Sequence, residues 1–343
     1  MLTFSRLIRP RLALAFAALF AAGAVSAAPP ATAASTTVAG PSVTGQGSGF
    51  LPGDLFPQWA GNPISFTIDA RATPTTTDAD HADGSFQVTH LRNDGSLYTA
   101  FSGSVTALTT AGQTAVVNGV ITAADDPANP GLTLVGAKIA LTFDNRPDGA
   151  RVGFVWGFAG QPVAEGQGAV PFFPLADSSV VVGGGRPGPV GSRALSDPRP
   201  TTPTTPTTPA RRLSGTATGY DPVTGGYYTL STDVAVAPGA ATQTAQGTFT
   251  YILRQPDIAK STSYSGTISC LDVGGDEAIA TGQITAAEDD PALIGRKTAW
   301  SIYDNGTTDW VTGILDSPAT PVHACQAPLP LGPATSGRIT VTG

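Results

Sequence analysis

Three histidines, His81, His90 and His323, are the side chains of this 343-residue chain with proton-transfer chemistry near neutral pH. A relay of His, carboxylate and Ser needs a nucleophile on a sharp turn, and no Gly-x-Ser-x-Gly elbow occurs. None of the three recurs in the repeat described below, and His90 falls on the face of a predicted strand with Phe86 and Val88. Histidines with local structural partners are the expectation, and no catalytic set is assigned. The densest acidic cluster, "DADHADG", offers Asp78, Asp80 and Asp83 as oxygen ligands for calcium. Its spacing departs from the EF-hand loop, and a solvated loop is the competing reading. No cofactor is expected. The acid pairs Asp125-Asp126 and Asp289-Asp290 precede Pro, as turns that bond their own backbone require.

Aromatic side chains carry the other possible chemistry, that of binding. Trp59, Trp156, Trp300 and Trp310, with Tyr220, Tyr227 and Tyr228, could line a sugar platform, and a barrel mouth could take a small apolar ligand. Trp59, in "FPQWAGN" between strands, is the freest of them and the candidate ligand contact. Alternation puts Trp300 on a buried face with Ile302, where it fills a core.

The elements that must position these groups are strands. Gly (41) and Pro (30) are abundant, charged residues make up only 13% of the chain, and "ISFTIDARA", "GTFTYIL" and "TAWSIYDN" alternate with a period of two. Turn signals at Asp94-Gly95, Gly274-Gly275 and Asn305-Gly306 separate such runs. The chain writes them twice. Ser102–Ala124 and Ser265–Ala287 share 10 of 23 residues without a gap, including "GVITAADDP" against "GQITAAEDD". Between the copies lies "RPTTPTTPTTPARR", which cannot pack a core and predicts an extended spacer holding the domains apart. The expected organisation is a signal peptide over 1–27, a β domain over 36–182, a Gly/Pro/Thr-rich linker over 183–212 and a second β domain over 213–343. Each domain has about eight antiparallel strands in meander order, as a small barrel or a two-sheet sandwich. Small residues at Ala278, Ala280 and Gly282 require large ones opposite, and Trp300, Trp310 and Tyr251 are the candidates.

Arg6, Arg9 and Arg11, an apolar run from Leu12 to Val25 and small residues through Ala27 have the pattern of an export signal. Its removal leaves 15 basic against 25 acidic side chains, a balance that repels phosphate backbones and excludes nucleic acid as a partner. No later apolar stretch is long enough to span a membrane. In an exported chain the two cysteines, Cys270 and Cys325, read as a bridge or as two separately buried thiols.

"CLDVGGDEAIATGQI", followed by Asp304-Asn305-Gly306, Cys325 and "SGRITV", resembles the post-COAP-1-like domain of exported bacterial proteins, whose function is unknown. The resemblance covers most of copy two. It implies an antiparallel β domain with Cys270 bridged to Cys325, and no catalytic residues. Copy one has Ala107 in place of the first Cys and lacks the second. The functional expectation is a secreted, non-enzymatic protein that binds or is structural at the cell surface, with a surface glycan or protein as possible partner. The alternative is a small-molecule carrier or barrel enzyme.

Overall fold

The period-two runs become strands with one buried face. In "PISFTIDARA" the buried residues are Ile64, Phe66, Ile68 and Ala70, and the intervening Ser65, Thr67, Asp69 and Arg71 face water. A computed structural model describes residues 40–53, 55–72, 81–146, 149–189, 210–222, 224–255 and 261–343. The export signal over 1–27, the spacer residues 190–209, and Asp78 and Asp80 of the calcium candidate lie outside the described residues.

Copy one contains β1 (Ser42–Phe50), β2 (Pro63–Ala72), β3 (Ala82–Leu91), β4 (Leu97–Ala111), β5 (Thr114–Asp125), β6 (Lys138–Arg146) and β7 (Gly149–Trp156). They form an antiparallel meander that curls. A broken final segment follows: β8 (Phe173–Pro174) pairs with β7, while β9 (Asp177–Ser178) and β10 (Val181–Gly183) pair with β1. Copy two runs through β11 (Arg211–Asp221), β12 (Gly226–Val236), β13 (Gln246–Arg254) and β14 (Ser261–Gly274). It continues with β15 (Glu277–Ala287), β16 (Lys297–Tyr303), β17 (Trp310–Leu315) and β18 (Gly332–Thr342). These eight strands close in sequence order, with β18 hydrogen-bonded to β11. The protein is thus two tandem antiparallel β domains: copy two is a closed eight-stranded barrel, and copy one is a curled half-barrel sheet of ten strands. The duplication extends to irregularities. Register shifts fall at Ser102/Gly103 and Val105/Ala107 in one copy and at Ser265/Gly266 and Ile268/Cys270 in the other.

The two domains touch each other. Val38–Gly343 forms one compact unit. The loops after β7 and β17, residues 157–172 and 316–331, meet in a reciprocal contact. Gly168 and Ala327 exchange both backbone hydrogen bonds, at 3.1 and 3.2 Å. Gln167 Nε2 donates to the Pro321 carbonyl at 2.8 Å, and Gln326 Nε2 donates to the Pro162 carbonyl at 2.7 Å. The same residues of each copy meet their counterparts, as in the interface of a two-fold dimer. Apolar contacts repeat the arrangement. Val170 packs with Ile279 and Ala299 of copy two, and Leu329 and Leu331 pack with Ala111 and Val116 of copy one. Thr-Pro composition excludes a core within the spacer but says nothing about surfaces elsewhere, which is why the expected separation fails.

One ion cluster is buried between the domains. Arg146 donates through Nε to Asp144 at 2.6 Å and through a terminal nitrogen to Glu277 at 2.9 Å, and it lies over the Tyr303 ring at 4.1 Å. Two carboxylates around one guanidinium, all out of water, leave a surplus of negative charge. Burial therefore pushes the Glu277 carboxyl up to about 8 despite Arg146, and Asp144 adds to the rise.

Candidate functional site

Cross-strand registers show how the copies diverge inside. On one face of β12, β13 and β16, copy two places Tyr228, Tyr251 and Trp300, all buried. Tyr251 lies 4.7 Å from Trp300 and 5.2 Å from Tyr264, ring centre to ring centre. Trp300 fits because its cross-strand neighbour is Gly313, where any Cβ would collide with the indole. Burying a residue of this size removes on the order of 200 Å² from water and contributes roughly 5 kcal/mol. This interior is filled, as the small residues Ala278 and Ala280 require. Trp310 takes no part in the packed cluster, contrary to expectation, because β16–β17 register pairs it with Tyr303 near the end of the hairpin.

At the matching registers copy one has Ile64, Val88 and Leu141. Three large aromatics become three aliphatics, and Phe154 stands where copy two has Gly313. Ile64, Val88 and Phe154, but not Leu141, line a cavity of about 650 Å³ at the end of the first domain where β2, β4 and β6 begin and β3 and β7 end. Beyond its floor, Phe66, Phe86, Phe143 and Phe173 close the interior. The cavity opens to solvent beside Leu55 and Leu132, which are 38% and 42% exposed. Part of its wall comes from copy two: Thr242, Gln243, Asp272 and the stretch Ala324–Gln326.

Aromatic rings make much of the lining. Phe158, Trp156, Phe154 and Phe56 stack in succession, with interplanar angles of 16°, 19° and 26°. Trp59 continues the column, 6.3 Å from Phe56. Phe101 meets Trp156 at 85° and Phe172 meets Phe154 at 67°. The strand β7 supplies this column because residues two apart share a face, so Phe154 and Trp156 project together, and Phe158 follows in the 3-10 turn Gly157–Ala159.

His90 also lines the cavity, between Trp59 and Tyr98. The Asn62 amide nitrogen can only donate, so His90 Nε2 accepts its hydrogen bond at 2.9 Å and Nδ1 carries the ring proton. Burial, with Arg92 nearby, lowers His90 to about 4, so the ring is neutral at physiological pH. Two carboxylates belong to the lining. Asp126 accepts from the Asn129 side-chain amide at 3.3 Å, while the side-chain-to-backbone turn bond expected before Pro is made by Asp290 in copy two, which accepts from Ala292 N–H at 3.1 Å. Asp272 sits 3.8 Å from Arg211, and burial pushes its carboxyl up to about 6.

Of the candidate residues, Trp59 lines the cavity. Cys270 and Cys325 are bonded to each other, and Cys325, which takes an unusual positive φ of 54°, belongs to the wall contributed by copy two. The sugar platform is not assembled. Trp59 and Trp156 belong to the cavity, Trp300 and Tyr228 to the core of copy two, and Tyr220 and Tyr227 form a separate exposed pair. Asp83 is exposed at β3, and no group of three metal-ligating side chains occurs among the described residues. The column residues Phe154 and Phe158 were not singled out from sequence, although the aromatic alternation in "GFVWGF" signals one face. Comparison with known proteins returned no match, whether to a protein-family model, a curated protein or a solved structure.

Proposed function

We propose that this chain is an exported, non-catalytic binding protein whose first domain takes a small apolar molecule at its mouth, while the packed second domain braces the wall of the site. The observation that carries this reading is the exchange of Tyr228 and Tyr251 for Ile64 and Val88, which line a cavity of about 650 Å³ where the sister copy holds buried rings. That volume lies in the usual range of small-ligand sites, as does a mostly apolar lining with a few polar groups. A binding role is supported by the state of His90, which is neutral and uses Nε2 on Asn62. Export is supported by the N-terminal signal pattern, the disulfide and the likeness of 212–343 to an exported bacterial domain. A cell-surface location, with a glycan or protein partner, remains part of the proposal. The test is equilibrium titration of the whole chain with Nile red, with Trp59 fluorescence as a second signal. One saturable site per chain that weakens in Val88→Tyr is expected. No saturable binding, or equal binding by the variant, overturns the reading.

A further inference from the structure

The lining also specifies what kind of molecule fits, and this step rests on the binding reading above. Among the described residues the cavity wall contains Asp126 and Asp272 but no Lys or Arg. The nearest cations are engaged outside it: Arg211 with Asp272 at 3.8 Å, and Arg92 over the Tyr98 ring at 5.4 Å. An anionic headgroup entering this space would lose its hydration with no counter-charge to replace it.

Both carboxylates are already engaged, Asp272 with Arg211 and Asp126 with Asn129, and the ring column adds little for a cation. Trp156 lies nearly parallel to Phe154 and to Phe158, with ring centres 4.7 and 5.7 Å away, and Phe154 lies nearly parallel to Phe56 at 5.9 Å. Rings stacked this way offer their edges to anything beside them, and ring edges carry the positive part of the quadrupole. A cation is attracted to ring faces, and rings lying parallel in succession compete with it for those faces. The protein already shows what edges accept: Phe101 stands perpendicular to Trp156 and to Phe158, at 85° and 72°.

We infer that the first domain binds an uncharged, flat aromatic molecule of two or more fused rings, held by edge-to-face contacts along the column from Phe56 to Phe158. A hydrogen-bond acceptor on that molecule would meet the Nδ1–H of His90. A saturated molecule of the same size would fill the space without the ring contacts.

The experiment uses the whole oxidised chain and four probes of matched size. These are a neutral naphthyl ketone dye, a naphthalene bearing a sulfonate, a naphthalene bearing a trimethylammonium group, and a decalin ketone read by displacement of the dye. The neutral aromatic is expected to bind about tenfold more tightly than each of the others, the scale of a few edge-to-face contacts. Phe158→Leu, at the free end of the column, should narrow the gap between naphthyl and decalin ketones while circular dichroism stays unchanged. If the sulfonate or the ammonium binds as tightly, or the decalin ketone matches the dye, the inferred ligand class is wrong although the site stands. If no probe binds, the binding reading itself falls.

Discussion

Replacing Glu277 by Gln isolates the buried ion cluster between the two domains. The groups facing Glu277 are Arg146, Asp144, Arg151 and Asp276, with Tyr303 against the guanidinium. In the folded chain the Glu277 carboxyl is raised from 4.5 to about 8, chiefly by burial. The folded state therefore holds a proton that the unfolded chain releases between those values. Stability from this group is fully present below about pH 4.5 and declines as pH rises through about 8. At 1.36 kcal/mol per pKa unit, the whole change is at most roughly 5 kcal/mol. Gln imitates the protonated acid and keeps an oxygen for Arg146, so Glu277→Gln should match the parent near pH 4.5 and exceed it progressively toward pH 9. Urea unfolding followed by tryptophan fluorescence at four or five pH values measures the difference, and titrating groups distant from the cluster cancel between the two proteins. A difference that is flat with pH, or a variant weaker than the parent at pH 9, would refute the assignment of surplus negative charge. Arg146→Ala provides the opposite case, since it leaves two buried carboxylates without their guanidinium and should cost about 3–5 kcal/mol.

Three further outcomes follow from the packing. Gly313→Ala should destabilise the chain by about 1–3 kcal/mol in urea unfolding, because the new Cβ collides with the enclosed indole of Trp300. Reducing the Cys270–Cys325 bridge, which spans a sequence separation of 55, should cost ~4 kcal/mol on the chain-entropy model. It should also weaken dye binding, because Ala324–Gln326 form part of the cavity wall; paired titrations with and without dithiothreitol test this. Trp59→Ala should reduce dye affinity severalfold while lowering stability by less than about 2 kcal/mol, since Trp59 is only half-buried at the rim.

Much of the fold is written locally. Alternation in "ISFTIDARA" and "TAWSIYDN" fixes which side chains face inward, because the pleat has a period of two. The 163-residue offset between "GVITAADDP" and "GQITAAEDD" declares two copies of one unit, and the structure repeats even the bulges at that offset. Trp300 as a core filler was readable from strand phase, and Trp59 as the freest aromatic from its place between strands. The bridge was one of two readings of a paired cysteine count, and the closed barrel one of two arrangements open to eight short strands.

What only the tertiary structure decided is which residues meet across strands and across copies. Whether Tyr251 has Trp300 near it depends on register summed around a closed sheet, so neither the solid interior nor its open counterpart could be seen in either run alone. The reciprocal bonds of Gln167 and Gln326, and the reach of Arg146 to Glu277, join residues 131 or more positions apart. No local periodicity carries that information, because the contact is set by how two finished surfaces fit. The sequence by itself determined twin strand-built units; strand register and the docking of those units determined that one of them keeps a hollow, partly walled by the other.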